Sequence, residues 1–211
     1  MITDKLSLIL DRQPEPTNSA YSMYNTGSIE VEVGEFLYGL VRMIKPENIL
    51  ETGTHKGIST AYMASALKEN GKGSITTIEY EEKHIFDANE LFVKLDLSNL
   101  INIVNQDINT FNPGNNQYDF IFLDTEPNLR FNEFIRFWNN LKPGGFIAIH
   151  DLSPGMGQGG VTLHGIENWP FGTMPEEMKT ILKEQVQSFH FETPRGLFLG
   201  QKNKEGYYDQ I

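Results

Sequence analysis

The stretch that decides the fold runs from Asn48 to Ser59 and reads NILETGTHKGIS. A short apolar run ends on a glutamate, two glycines four positions apart follow, and small hydroxylated residues come next. Glycine has no Cβ, so Gly53 and Gly57 let the backbone turn tightly and let a ligand press against it. The pattern predicts a strand, a ligand-binding turn and a helix, in that order.

Two common nucleotide-binding turns do not fit this stretch. The G-x-x-x-x-G-K-[ST] loop needs a lysine after its last glycine, but Ile58 follows Gly57. The dinucleotide fingerprint G-x-G-x-x-G, begun at Gly53, would need glycines where His55 and Ile58 stand. The segment 153–160 does contain G-x-G-x-x-G after a predicted strand, but no helical pattern follows it. Neither type of turn is therefore predicted.

Strand and helix patterns alternate along most of the chain. Apolar residues recur at helical spacing in five segments, whereas short β-branched or continuous apolar runs read as strands. The predicted helices lie in 29–47, 59–73, 81–99, 131–141 and 175–185, and the predicted strands are 48–53, 74–80, 101–107, 118–124, 146–151, 189–194 and 196–201. This alternation predicts an α/β fold with an open, mostly parallel sheet, helices on both faces and a final antiparallel strand.

Composition and charge restrict the class of protein. The 211 residues, 39% of them hydrophobic, suffice for one domain over 1–211, with 1–28 as an N-terminal lead-in or lid and 29–200 as the core. The net charge of -11 disfavours nucleic acid and anionic membrane surfaces as partners, which leaves a small molecule. Since there is no cysteine, disulfides and thiolate catalysis are excluded. No apolar run reaches the length of a signal-peptide core or a membrane span, so a cytoplasmic location is expected.

Every predicted parallel strand ends in at least one carboxylate. In open α/β sheets, ligands bind at the carboxyl ends of the strands. A single acidic residue there is as readily explained as a helix cap or a turn former, but five on one rim favour a site. Glu79 ends the second strand, 26 residues after Gly53, and could accept both hydroxyls of a ribose. The five carboxylates are Glu51, Glu79, Asp107, Asp124 and Asp151.

The ordered motifs resemble those of the class I S-adenosylmethionine-dependent methyltransferases. Within that class they are similar to the small O-methyltransferases, which include the catechol, caffeoyl-CoA and sugar enzymes. The resemblance covers about residues 29 to 200 and implies a three-layer, Rossmann-like methyltransferase fold with a seven-stranded sheet. It also implies S-adenosylmethionine as cofactor and a small hydroxylated acceptor. The motifs are ETGTHKG at 51–57, Glu79 after SITTI, Asp107 after INIVNQ, FIFLD at 120–124 and LKPGGFIAIHD at 141–151.

The resemblance assigns a cofactor-binding role to residues at four strand ends. The glycines would admit the methionine part and the ribose, while hydroxyls and amides at the next helix N-terminus would bind the cofactor carboxylate. Glu79 would accept the ribose hydroxyls. Gln106 and Asp107 would meet the adenine, and Tyr80 would either pack on the adenine or be an ordinary rim aromatic. The implied set is Glu51, Gly53, Thr54, Gly57, Ser59, Thr60, Glu79, Tyr80, Gln106, Asp107 and Asp124.

Catalysis also requires the acceptor to lose its proton, either to a base or with the help of a divalent cation. In the resembling enzymes, a cation is held at the ends of the fourth and fifth strands, positions that fall here on Asp124, His150 and Asp151. These three residues are the implied catalytic and metal-binding set, for Mg²⁺ or another divalent cation. Catechol-type enzymes carry a lysine base where this chain has Pro127. His150, Glu126 or His55 could serve as the base instead, and His150 ranks first. The alternative for His150 is a packed strand-end residue.

Two other functions stay open at this point. A non-catalytic relative would keep the nucleoside pocket but would not catalyse methyl transfer. The absence of a lysine base at the position of Pro127 is compatible with this alternative. An NAD(P)-dependent oxidoreductase would share the fold, but the first turn lacks G-x-G-x-x-G and the chain lacks a Tyr-x-x-x-Lys pair. Acceptor specificity is expected in the lead-in and in the loop 152–174. The apolar face of the first predicted helix, 29–47, would suit either a homodimer or ordinary core packing.

Overall fold

The structure is a computed structural model that describes residues 1–25, 27–152 and 174–204. The chain forms two compact units, 1–112 and 113–211, here named the N-terminal and C-terminal units. The single domain over 1–211, with its lead-in 1–28 and core 29–200, stays a prediction. Apart from its first and last residues, the predicted acceptor loop 152–174 lies outside the described residues, and so does its G-x-G-x-x-G segment.

The N-terminal unit contains three parallel strands, a small hairpin and four helices. The three strands lie in the order β5 (Ile101–Asn105), β4 (Ser74–Glu79) and β3 (Asn48–Thr52), and their register pairs Leu50 with Thr76 and Thr76 with Asn102. The helices are α1 (Ile2–Ser7), α2 (Val31–Ile44), α3 (Ile58–Asn70) and α4 (Glu82–Lys94), with a 3-10 turn at Ser98–Leu100. The strands are β1 (Gln13–Pro14), β2 (Ser22–Met23), β3 (Asn48–Thr52), β4 (Ser74–Glu79) and β5 (Ile101–Asn105).

The C-terminal unit contains four strands in the order β6-β7-β9-β8. Strands β6 and β7 are parallel, whereas β9 runs antiparallel to both of its neighbours. The elements are β6 (Tyr118–Leu123), α5 (Arg130–Phe137), a 3-10 turn at Trp138–Asn140, β7 (Leu141–His150), α6 (Glu176–Glu184), β8 (Val186–Phe191) and β9 (Leu197–Lys202). The predicted fold class, α/β with a seven-stranded, mostly parallel sheet and an antiparallel strand near its end, is confirmed.

Several elements differ from the sequence expectation, including β8, which spans Val186–Phe191 where a strand over 189–194 was expected. Strand β7 begins at Leu141, although the Pro-Gly-Gly run 143–145 was expected to separate helix from strand. The strand continues because Gly144 adopts a φ of 80° and the register shifts between Tyr118 and Phe120 of the neighbouring strand. Helix α1 was not predicted, because six residues are too few for a helical pattern, yet it buries Ile2 and Leu6.

Helices α2 and α3 pack closely because α2 carries a glycine at the contact. A Cβ built on Gly34 would lie 2.5 Å from Cδ2 of Tyr62, whose ring is fully buried. The Tyr62 hydroxyl is 3.1 Å from the Thr3 hydroxyl of α1, so the ring cannot move away without breaking that contact. Burial also raises the pKa of Tyr62, which stays protonated at neutral pH. In the described part of the chain, no helix has the length and apolar content of a membrane span.

The contact at Gly34 gives a test of this packing. We expect Gly34→Ala to lower the free energy of unfolding by about 1 to 3 kcal/mol, because the added methyl group overpacks the helix contact. Gly39→Ala is the matched control on the same helix, since no atom lies within 4 Å of its added Cβ. That change should be neutral or stabilising by about 1 kcal/mol. Urea unfolding followed by circular dichroism measures both, and equal effects would refute the proposed contact.

Candidate active site

The turn after β3 contains three residues with positive φ angles, a backbone conformation that favours glycine. The φ angles are 83° at Gly53, 46° at His55 and 78° at Gly57. At Gly57 a side chain is disfavoured for two reasons. The φ angle is positive, and a Cβ there would lie 2.6 Å from the ring of Phe92. The Gly53 amide donates to the carbonyl of Ile78 at 3.0 Å, which fixes the turn to the neighbouring strand. The glycine turn predicted from the sequence is therefore present.

Glu51 connects the end of β3 to the start of α3. Its carboxylate is fully buried and accepts hydrogen bonds from Ser59 Oγ at 2.6 Å and Thr60 Oγ1 at 2.5 Å. The Thr54 hydroxyl is likewise used, at 2.6 Å from that of Thr77. Since each hydroxyl has one proton, Ser59 and Thr60 have none left for a cofactor carboxylate. Their side chains stabilise the turn, and their predicted cofactor contacts stay a prediction.

The N-terminus of α3 keeps its backbone donors. Among the described residues, no side chain caps this end of the helix, whose N-cap is Gly57. The first N–H groups of a helix have no partner within the helix and carry a partial positive charge. An anionic group, such as the carboxylate of a methionine moiety, is stabilised at such a position.

Glu79 ends β4 with a buried carboxylate that is bound by backbone amides. Its Oε2 accepts the His55 N–H at 2.8 Å, and its Oε1 accepts the N–H groups of Tyr80 at 2.9 Å and Glu81 at 3.0 Å. A carboxylate offers about four lone-pair positions, so three neutral donors leave about one for a ligand hydroxyl. These three donors are neutral, and the His84 ring places Nδ1 at 3.9 Å from Oε1, beyond hydrogen-bond distance. This geometry suits the predicted ribose-binding role.

The predicted adenine-binding residues lie at exposed strand ends. Tyr80 is 57% exposed. The backbone N–H of Gln106 donates to the backbone carbonyl of Glu79 at 2.9 Å. The exposed Asp107 uses one carboxylate oxygen, Oδ1, to accept the Asn109 N–H at 2.8 Å. The structure thus brings Glu79, Tyr80 and Gln106 together, whereas Asp107 stabilises its own turn.

The C-terminal unit brings Asp124, His150 and Asp151 together. One ligand atom from each lies within 4.8 Å of the others. His150 Nδ1 is 3.1 Å from Asp124 Oδ1 and 3.4 Å from Asp151 Oδ1. The three residues meet because β6 and β7 are parallel neighbours whose carboxyl ends lie side by side. We call these three residues the acidic cluster.

Arg130 lies in the acidic cluster and was missed by the sequence analysis. Its side chain, 2% exposed, places Nη2 at 3.1 Å from Asp124 Oδ1 and 2.8 Å from Asp151 Oδ2. The guanidinium also donates to the backbone carbonyls of Thr125 and His150. Arg130 is the first residue of α5, where the sequence offers only an arginine at the start of an amphipathic helix.

Arg195 supplies a second cation to the same cluster. Its Nε is 2.7 Å from Asp151 Oδ1, and its Nη2 donates to Asp151 Oδ2 at 3.0 Å. Burial opposes ionisation of Asp151, but the charges of His150, Arg130 and Arg195 outweigh burial and hold its pKa well below the usual range. Asp151 is therefore ionised at neutral pH and faces two arginines.

Comparison with known sequences agrees with these motifs. Residues 50–152, slightly less than half of the chain, match a family model described as a methyltransferase domain. A catechol O-methyltransferase of Niastella koreensis is 33% identical over 104 residues, which are 47% of this chain and 46% of the relative. The resemblance to class I methyltransferases is confirmed. A Mycobacterium sp. (strain JLS) protein named "Putative O-methyltransferase" is 28% identical over 133 residues. That alignment covers 61% of this chain and 59% of the relative's length.

Solved structures of methyltransferases share the fold. The O-methyltransferase TomG of Streptomyces achromogenes, in complex with SAM, has a TM-score of 0.67 at 18% identity, covering 84% of this chain and 82% of TomG. An O-methyltransferase of Bacillus cereus, in complex with SAH, has a TM-score of 0.69 at 21% identity, covering 85% and 84%. At these identities the likeness establishes the fold of this chain and does not by itself establish its activity.

The paired charges at Asp151 give a second test. Asp151→Asn would leave two buried guanidinium groups without their shared counter-charge, so the free energy of unfolding should fall by about 3 to 5 kcal/mol. Asparagine tolerates the left-handed backbone, φ 59°, of this position, so added backbone strain does not explain a loss. Urea unfolding at neutral pH measures the change.

The control for this variant is Asp119→Asn in the same unit. Asp119 pairs with Lys142 at 2.7 Å, but both side chains are partly exposed, so the change should cost about 1 kcal/mol or less. If the two variants lose the same stability, the buried charges around Asp151 do not contribute as described.

Proposed function

We propose that the protein transfers the methyl group of S-adenosylmethionine to an oxygen of a small hydroxylated acceptor, such as a sugar, a phenol or a natural-product intermediate. The observation that carries the proposal is the buried, amide-bound carboxylate of Glu79 beside the glycine turn Gly53–Gly57. Both features lie in the region 50–152 that matches the methyltransferase family model. The O-methyltransferase names of the relatives in Niastella and Mycobacterium support an oxygen acceptor.

The N-terminal unit offers suitable groups for each part of the cofactor. The remaining lone pair of Glu79 would accept a ribose hydroxyl, and the uncapped start of α3 would bind the methionine carboxylate. Tyr80 and Gln106 would lie near the adenine. When bound, the cofactor supplies a methyl group already activated by its positively charged sulfur. The protein then has to bind and orient an acceptor, and orientation can contribute about 7 to 11 kcal/mol.

His150 is the proposed base, with one observation against it. Its Nδ1 faces the carboxylate of Asp124, an arrangement in which Nδ1 carries the proton and Nε2 can accept one. The His150 side chain is, however, fully buried. Full burial favours the alternative reading of a packed strand-end residue. Methyl transfer by orientation, with deprotonation by another group, stays compatible with the proposal.

A divalent cation would be a second way of activating the acceptor. Asp124, His150 and Asp151 would be its ligands, and carboxylate oxygens would suit Mg²⁺. The residues around the acidic cluster do not fit this role, because Arg130 Nη2 lies at hydrogen-bond distance from both carboxylates. The proposed reaction therefore uses no metal ion.

The other expected partners stay predictions with unequal support. The net charge of -11 supports a small molecule over nucleic acid. In α2 the apolar residues Val33, Leu37 and Leu40 are buried within the N-terminal unit, which favours core packing over a homodimer contact. A cytoplasmic location stays a prediction. A non-catalytic nucleoside-binding relative and an NAD(P)-dependent oxidoreductase remain the alternative functions.

Calorimetric titration of the purified protein with S-adenosylmethionine, S-adenosylhomocysteine and NAD tests the proposal. We expect the first two to bind and Glu79→Gln to weaken them about 10- to 100-fold, because a hydrogen bond to a charged group contributes about 1.5 to 3 kcal/mol. Glutamine keeps the shape of the side chain and removes its charge. Glu81→Gln is the matched control, because its side chain is half exposed at the same strand end.

Three results would separate the functions. If folded wild-type protein binds neither adenosyl compound, the methyltransferase proposal is wrong. Preferential binding of NAD would favour the oxidoreductase. Binding of S-adenosylmethionine without methyl transfer to any of a panel of sugars, phenols and catechols would favour the non-catalytic relative.

A further inference from the structure

We infer that the acidic cluster of Asp124, His150 and Asp151 binds no divalent cation, and that Arg130 is a positioning residue that takes the place of one. As a statement about cation binding, this inference is independent of the proposed function. Its consequence for catalysis rests on that function: methyl transfer by this chain needs no metal ion.

The first argument is the position of the guanidinium. A divalent cation shared by Asp124 and Asp151 would lie about 2.0 to 2.6 Å from an oxygen of each. Arg130 Nη2 already lies 3.1 Å from Asp124 Oδ1 and 2.8 Å from Asp151 Oδ2. These are hydrogen-bond distances, so the nitrogen lies where it bridges the two carboxylates. The cation and the guanidinium would compete for the same pair of oxygens.

The second argument is charge. With His150 neutral, as its proposed role as a base requires, the two carboxylates of the acidic cluster carry -2 and the guanidinium groups of Arg130 and Arg195 carry +2, so their sum is zero. A protonated His150 would make the sum +1, which disfavours a further cation still more. Both arginines and Asp151 are buried. A divalent ion added to this set would leave an excess of +2 in a region shielded from water, which is strongly unfavourable.

The third argument is how firmly Arg130 is held. Besides the two carboxylates, it donates to the carbonyl oxygens of Thr125 and His150. Displacing its side chain would break both hydrogen bonds, and the buried carbonyl of His150 would lose this donor. A cation would have to replace charge pairs and hydrogen bonds together. Arg130 thereby ties the ends of β6 and β7 to the start of α5.

The test is Mn²⁺ binding, counted from the free-ion signal in electron paramagnetic resonance. Mn²⁺ suits carboxylate ligands such as those of Asp124 and Asp151, so it is a fair probe of the acidic cluster. We expect wild-type protein to show no stoichiometric binding that depends on Asp124. One Mn²⁺ per chain that is lost in folded Asp124→Asn would overturn the inference. Bound Mn²⁺ that persists in Asp124→Asn lies elsewhere and supports it.

Variants of Arg130 test its role directly. Arg130→Met removes the guanidinium and exposes two carboxylates and a histidine to one another, so this variant should gain a Mn²⁺ site. Arg130→Lys keeps a cation and should still exclude the ion. Arg136→Met, an exposed position on the same helix, is the control and should gain nothing. A folded Arg130→Met that binds no Mn²⁺ would contradict the role of Arg130; if it does not fold, the wild-type measurement decides.

The same preparations keep this inference separate from the proposed function. Titration of wild-type protein with S-adenosylhomocysteine tests the cofactor site, and its failure would leave the Mn²⁺ result unaffected. Methyl transfer that continues unchanged in EDTA supports the metal-free reaction. Methyl transfer that EDTA abolishes and Mn²⁺ restores would overturn the inference while the methyltransferase function stands.

Discussion

A carboxylate buried at the end of a strand must be met by donors close by, and both units are organised by how they satisfy this requirement. Burying an unpaired charge is far more costly than a typical net stability allows. In the N-terminal unit, Glu51 is bound by the hydroxyls of Ser59 and Thr60, and Glu79 is bound by backbone amides. The turn and the start of α3 have the conformation that places these donors.

The C-terminal unit solves the same problem with cations, and the difference separates the chemistry of the two sites. Neutral donors around Glu79 solvate its charge without cancelling it, so the carboxylate can still bind a hydroxyl group of a ligand. Guanidinium groups around Asp124 and Asp151 cancel the charge, so little attraction is left for a further cation. Two acidic strand ends that look alike in sequence therefore differ in the charge of the donors around them.

Local patterns predicted the fold well, and long-range pairing explains what they missed. Strands, helices and terminal carboxylates follow from hydrophobic periodicity, which neighbouring residues determine. The arginine contacts do not: Arg195 meets Asp151 across 44 residues, with no spacing that would indicate it. The metal set was predicted from acidic and histidine side chains alone, and the structure does bring these three residues together. The two arginines that tertiary structure places beside them had no signal in the sequence. The start of β7 was misplaced because a glycine pair permits a bulge as well as a break.

The guanidinium of Arg130 also determines when the acidic cluster receives its positive charge. A metal site is completed only when an ion is captured, so its occupancy varies with supply, with chelators and with competing ions. Arginine cannot lose its proton in a protein and is part of the chain itself. The positive charge at the ends of β6 and β7 is consequently in place once the chain has folded. It does not depend on which metal ions the growth medium contains. Every folded copy of the chain carries it from the start.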